Sequence, residues 1–211
     1  MTNRKTTFLS KGWVLVTLLV LAIGIVFMGA IALLHETVEW IDEARYFPKD
    51  KEHPEQLKYA EWVESASKEF GVEEAVIYAV IYCESDFDPR AVSSVGARGL
   101  MQMMPTTFKE LQGHLDETYD DDALFEPQIS IRYGTFYLSR MYDRFGDWSI
   151  AFAAYNAGPT VVSKWLKDDT YSKDGKLVNI PYEETDNYVE KVTDMVEKYK
   201  EYYSMEVQND T

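Results

Sequence analysis

Cysteine is almost missing from this chain. Cys83 is the sole thiol among 211 residues, so no internal disulfide and no cysteine-built metal cage can form. Histidine is scarce too. His35, His53 and His114 lie far apart in stretches that read as loop or linker, which argues against a histidine metal site. There is no internal repeat, no convincing set of period-two strands and no cofactor motif, and no cofactor is expected. Positive charge is in deficit: 21 Lys and Arg face 36 Asp and Glu, a net charge of −15. Acids are absent before Glu36, and only Arg4, Lys5 and Lys11 of the basic residues precede it. The remainder therefore sets 36 acids against 18 bases, a formal charge of −18. That balance disfavours nucleic acid as a partner through non-specific charge. Solubility alone explains the acidity as well as a weakly charged substrate does.

What is present begins with a long apolar run. Residues 12–34 carry no charge and are long enough to cross a bilayer as one helix. Arg4, Lys5 and Lys11 before it, and Glu36, Glu39, Asp42 and Glu43 after it, put the N-terminus inside and the rest outside the cytoplasmic membrane. A cleaved signal peptide is the rival, with Ala30-Ile31-Ala32 as a candidate cleavage site. The run exceeds a usual h-region, which favours a retained single-pass anchor. The expected plan is a cytoplasmic segment 1–11, a transmembrane helix 12–34, a charged stalk 35–53, one domain over 54–203 and a tail 204–211. Pro48 and Pro54 punctuate the stalk. About 150 residues suffice for one hydrophobic core.

Within that domain the apolar spacing is helical. Tyr59, Val63, Ala66 and Phe70 predict a helix that Gly71 stops. Residues 75–83 are apolar on most sides and predict a central buried helix. Pro105 and Thr106 open a short helix expected through Leu111, before an acidic loop over 116–122. Calcium is weighed there, but the spacing is not that of an EF-hand and a solvated loop is the reading adopted. Ile129, Tyr133, Phe136, Tyr137 and Met141 line a helix that Gly146 ends, and Asp147 caps another through Ala154. Gly158-Pro159 marks a sharp break. Asp174-Gly175 signals a turn in a polar loop or small hairpin. Tyr188, Val192, Met195, Tyr199 and Tyr203 mark a closing helix. The sum is a mainly α domain.

Three polar islands stand out of this apolar pattern. Glu84 ends the buried helix, where burial and the helix's negative end both raise a carboxyl pKa. A carboxylic acid kept protonated near neutrality can donate to the leaving oxygen of a glycosidic bond. An exposed helix-end glutamate is the bland alternative from position alone. Gln102 stands among Leu100, Met101, Met103 and Met104 after the Gly96 and Gly99 turn; a buried amide there needs a partner. A sugar hydroxyl, an N-acetyl group or a core backbone group would each serve. Tyr155 and Asn156, before Gly158, form the third island, or a helix C-cap, or both. Cys83 is expected to pack as a small hydrophobe, because a buried uncharged setting suppresses the thiolate a redox sensor needs.

Taken in order, these segments resemble a known family. Glu84-Ser85-x-Phe87-x-Pro89, Gly96-Ala97-x-Gly99-Leu100-Met101-Gln102-x-Met104-Pro105 and Ala154-Tyr155-Asn156-Ala157-Gly158 look like motifs of the soluble lytic transglycosylases, the SLT family. Tyr133-Gly134-x-x-Tyr137-Leu138 and Pro181-Tyr182-x-Glu184-Thr185-x-x-Tyr188-Val189 add two weaker matches, and the likeness spans about residues 57–200. The resemblance implies a lysozyme-like α fold and peptidoglycan glycan strands as the partner. It implies Glu84 as the single catalytic acid/base. Gln102, Met104 and Tyr155 then fall around the sugar at the cleavage site and Ser93 at the cleft-lining turn. Glu184 supports from the floor, and Asn156 is a motif residue of structural character.

No second acid is evident in the motif core, since Asp86 and Asp88 are expected to face solvent. The resemblance therefore implies a substrate-assisted cut between N-acetylmuramic acid and N-acetylglucosamine that leaves a 1,6-anhydro ring. A hydrolytic muramidase on the same fold is the first alternative. A non-catalytic peptidoglycan-binding or scaffold module is the second, against which intact Glu84 and Gln102 argue. Protein partners are not legible in the sequence.

Overall fold

The computed structural model describes residues 58–209, together with residues 28, 30 and 31. The chain divides into two units, Met1–Pro54 and Glu55–Thr211, and the second holds nearly all that is described. Of the expected anchor, only Met28, Ala30 and Ile31 are described, and they are helical. The rest of 12–34 and the stalk 35–53 lie outside the described residues, as do the side chains of the expected tail 204–211. Among the described residues no helix is long and apolar enough to cross a membrane.

The second unit is built from seven α-helices among the described residues: α1 Ala60–Phe70, α2 Glu74–Ser85, α3 Pro105–Leu115, α4 Pro127–Phe145, α5 Trp148–Ala157, α6 Pro159–Trp165 and α7 Glu183–Asn209. A 3-10 turn, Asp121–Phe125, precedes α4. A two-stranded ladder, β1 Ser172–Lys173 and β2 Lys176–Leu177, precedes α7. The mainly α expectation holds.

Helix α2 is the axis of the core. Ala75 through Ile81 are buried all round, as a helix apolar on every side must be. It packs chiefly on α7, where Val192, Val196 and Tyr199 are buried and the Tyr199 ring lies 5.6 Å from that of Tyr78. Each such aliphatic side chain contributes roughly 1.5–3 kcal/mol on burial, which is why α2 is held rigidly to its last turn. Its end is abrupt. Asp86 and Phe87 both take positive φ, 52° and 62°, and Phe87 tucks beneath Tyr59 with parallel rings 6.2 Å apart.

Elsewhere the sequence signals mark the boundaries with three differences. Helix α3 runs past Leu111 to Leu115 and stops at Asp116, in the left-handed conformation at φ 54°, because Leu115 still packs on the Phe108–Tyr133 cluster. Part of the expected acidic loop is the 3-10 turn instead, with Asp122 paired to Arg98 at 2.9 Å. The break at Gly158, φ 91°, is real, but Pro159 then starts α6 at once. Proline's fixed φ suits a first helical position, and its missing N–H would have no partner there. In the hairpin, Asp174 and Gly175 take φ 52° and 77°, the paired positive angles of a two-residue turn that matches strand twist.

Candidate active site

The end of α2 opens into a cleft of about 330 Å³. The seven side chains singled out in the sequence, Glu84, Ser93, Gln102, Met104, Tyr155, Asn156 and Glu184, all line it. They come from α2, the 90–104 loop, α5 and α7, so no one local segment builds the site. Asp86 and Asp88 are exposed, as expected, and are not on its wall.

Glu84 reaches the cleft with part of its surface open while its carboxyl is ringed by protein. Burial lifts its pKa to about 7. The Tyr188 hydroxyl and the Lys191 ammonium pull it down, and the Glu184 charge adds a smaller push upward. The Tyr188 hydroxyl is buried and makes no hydrogen bond of full geometry among the described residues, yet it stands close enough to Glu84 to favour the carboxylate. The acid is thus about half protonated at neutral pH. It has a donor at hand for its charged state. Cys83, its neighbour, is a different case: burial pushes the thiol up to about 12, so it stays protonated.

The loop facing Glu84 is held at two successive peptides. Ser85, next to the acid, places its hydroxyl 2.8 Å from the Leu100 carbonyl. The Met101 N–H donates to Ser130 Oγ at 3.2 Å, and the Tyr155 hydroxyl donates to the Met101 carbonyl at 2.8 Å. Three helices therefore grip Leu100 and Met101. Close approach makes this possible. A Cβ on Gly134 would sit 2.4 Å from the Met101 sulfur.

Gln102 resolves the choice of partner left open above. Its Nε2 donates to the Ala91 and Gly99 carbonyls at 3.1 and 2.9 Å, so a backbone partner takes both N–H groups. Its residue sits at φ 45°, a conformation costly outside glycine and stabilised by those two bonds. The amide oxygen remains for the cleft. Ser93 is similar: its Oγ accepts from the Ala97 N–H at 3.0 Å and keeps its own proton. Asn156 joins two helices, because its Oδ1 accepts from the buried Thr185 hydroxyl at 2.7 Å. Thr185→Val should leave that oxygen without its partner and lower unfolding free energy by about 1–3 kcal/mol, read by urea denaturation.

Some of the wall was missed in the sequence. Tyr137 lines the cleft with its ring 5.3 Å from Tyr155, and Val95 and Thr107 form part of the rim. Tyr188 stands in the sequence as one of a helical stripe and in the closing motif of the resemblance, with no site role attached. The available signal was its polar tip, on a stripe that must face the end of α2. Thr107 had no signal in spacing.

Comparison with known proteins bears on this arrangement. The family model described as the transglycosylase SLT domain matches residues 61–178. The soluble lytic murein transglycosylase of Salmonella typhimurium is 36% identical over 126 residues, 57% of this chain and 20% of that protein. The membrane-bound lytic murein transglycosylase C of Haemophilus ducreyi is 29% identical over 171 residues, 67% of this chain and 45% of that protein. A solved structure of an inactive mutant of the lytic transglycosylase Slt from Pseudomonas aeruginosa matches with a TM-score of 0.68 at 32% identity, over 83% of this chain and 28% of that one. The chain spans less than half the length of each of these relatives.

Proposed function

The chain belongs to the transglycosylase SLT domain family and has its mainly α, lysozyme-like fold, and on that premise we propose that it is a peptidoglycan lytic transglycosylase with Glu84 as its single acid/base. The observation that carries the reading is Glu84 itself: a carboxyl with a pKa of about 7 at the edge of a cleft lined by amide, hydroxyl and aromatic groups. A general acid works best when its pKa is near the operating pH.

The reaction follows from that group. Protonated Glu84 donates to the oxygen between N-acetylmuramic acid and N-acetylglucosamine, and the C1–O bond breaks. The muramoyl N-acetyl carbonyl stabilises the positive charge at C1. Glu84, now a carboxylate favoured by Tyr188 and Lys191, takes the proton of the muramoyl C6 hydroxyl as its oxygen bonds to C1. The acid is regenerated, and the product is a 1,6-anhydro end. Ser93, Gln102, Met104 and Tyr155 hold the sugars, Glu184 adds a supporting charge, and Asn156 fixes α5 to α7.

Glu184 also supplies the ground for a second reading. It is a carboxylate on the wall of the same cleft, and a carboxylate that activates water would make the protein a hydrolytic muramidase. Digestion of purified peptidoglycan by the full chain separates the two. The expected product has anhydro ends, one water lighter in mass spectrometry than the reducing ends of hydrolysis. Reducing ends alone would overturn the ring closure, and no release at any pH would favour a binding module.

Residues 12–34 anchor this domain outside the cytoplasmic membrane, with residues 1–11 inside and 35–53 as a short stalk. The charge bias and the uncharged length of the run support that topology, and the name of the Haemophilus ducreyi relative is in keeping with it. Protease added to intact spheroplasts should remove the domain; full protection would refute the orientation.

A further inference from the structure

Beyond the cleft wall at Gly158 and Glu184 stands an aromatic ring that the mechanism does not use. Tyr182 precedes Glu184 by two residues, within about 7 Å along the backbone, and is 54% exposed. Its place is fixed in three ways. Its carbonyl accepts from the Asp186 N–H at 2.9 Å, closing the first turn of α7. Thr185 locks that turn to Asn156 in the cleft wall. The Tyr182 ring meets Trp165 edge-on, centroids 5.0 Å apart at 86°, and Trp165 is itself only 6% exposed.

Trp165 ends α6, which begins beside Gly158, so seven helical residues separate it by about 10 Å from that part of the wall, and neither Trp165 nor Tyr182 is among the cleft-lining residues. A lone exposed aromatic is ordinary on a protein surface. A ring braced by a buried tryptophan is already ordered, so a ligand stacking on it loses little side-chain entropy. It is also an uncharged contact on a domain, residues 54–203, whose 28 Asp and Glu outnumber its 15 Lys and Arg, with exposed Val178 nearby in sequence.

We infer that Tyr182, braced by Trp165, is a stacking platform for a sugar ring of the glycan strand beyond those held in the cleft. This rests on the glycan-cleaving reading. The platform acts on long strands only, because a short fragment that fills the cleft ends before it. Its phenolic ring presents a flat apolar face to the C–H face of a pyranose and a hydroxyl at its rim.

Kinetics of the full chain on long uncrosslinked glycan strands and on the shortest cleaved fragment test it. Tyr182→Ala should raise KM on long strands about three- to tenfold at unchanged kcat. The fragment's KM should stay within twofold of wild type, and Tyr182→Phe, which keeps the ring, should match wild type on both. Equal KM on long strands, or an equal rise on the fragment, would overturn the platform. A second readout is independent of turnover: in the Glu84→Gln background, Tyr182→Ala should weaken co-sedimentation with insoluble peptidoglycan. If the wild type cleaved nothing while that loss persisted, the platform would stand and the activity reading would fall. If sedimentation were unchanged, the platform would fall whatever the activity.

Discussion

Glu84→Gln should lower glycan cleavage by about 10²–10⁴-fold, the usual worth of a general acid, and at the same time make the protein more stable above pH 7. Glutamine keeps the shape and hydrogen-bonding reach of the side chain but cannot give up a proton to the leaving oxygen. The stability effect has the opposite sign because the native fold disfavours the charge that Glu84 carries at high pH. Its carboxyl is raised from 4.5 to about 7, so between those values the folded chain binds more protons than the unfolded one. Stability from this group is complete below pH 4.5, falls across that window and is gone above about 7, a loss of about 3 kcal/mol. Glutamine never incurs it. Urea unfolding at pH 4.5 and pH 8 should show a gain for Glu84→Gln at pH 8 only; equal gains at both would show that ionisation is not the cause. In the wild type, cleavage should decline about tenfold per pH unit above 7, as the protonated fraction does.

Gly99→Ala should be the most damaging small substitution in the site loop. A Cβ there would lie 1.9 Å from the Leu124 carbonyl oxygen and 2.8 Å from Ser130 Oγ, and the residue sits at φ 76°. The first neighbour is backbone and cannot rotate away. Relief requires the loop to part from the 3-10 turn, which also breaks the Met101-to-Ser130 bond that orders the cleft. The expected loss is roughly 3–5 kcal/mol, a large share of the 5–15 kcal/mol that holds a typical domain together. Gly96→Ala is the control. Its φ of 90° is as unfavourable, but a Cβ would meet nothing within 4 Å, so only about 1 kcal/mol should be lost. Thermal or chemical unfolding of both variants separates steric overlap from backbone strain. Equal losses would mean the close approach at Gly99 carries no weight.

Some elements were legible because their cause is local. The all-apolar run of α2 predicted burial, Gly71 and Gly146 predicted helix ends, and Asp174-Gly175 predicted a turn in a loop or small hairpin; the structure has the burial, both ends and, of the two, the hairpin. Helix α6 and the last turn of α3 were not, because both depend on what packs against them. A proline after a glycine reads as a break, and only packing against α5 shows that a helix resumes. Gln102 illustrates the same limit in the site. Its residue type announced a polar group needing partners, yet whether these were sugar or backbone turned on the path of the 90–104 loop.

The sequence by itself determined the mainly α pattern, the acid that ends the buried helix and the order of motifs that shares a family with the lytic transglycosylases. Those are properties of residue type and spacing, which act over a few residues. Only the tertiary structure decided how Glu84 behaves. Its pKa near 7 comes from burial by several elements and from Tyr188, Lys191 and Glu184, all on α7, about a hundred residues further along the chain. It also decided that Leu100 and Met101 are gripped from three helices. Desolvation and hydrogen bonding depend on distance in space, and no periodicity in a sequence encodes which distant side chains will close over a carboxyl.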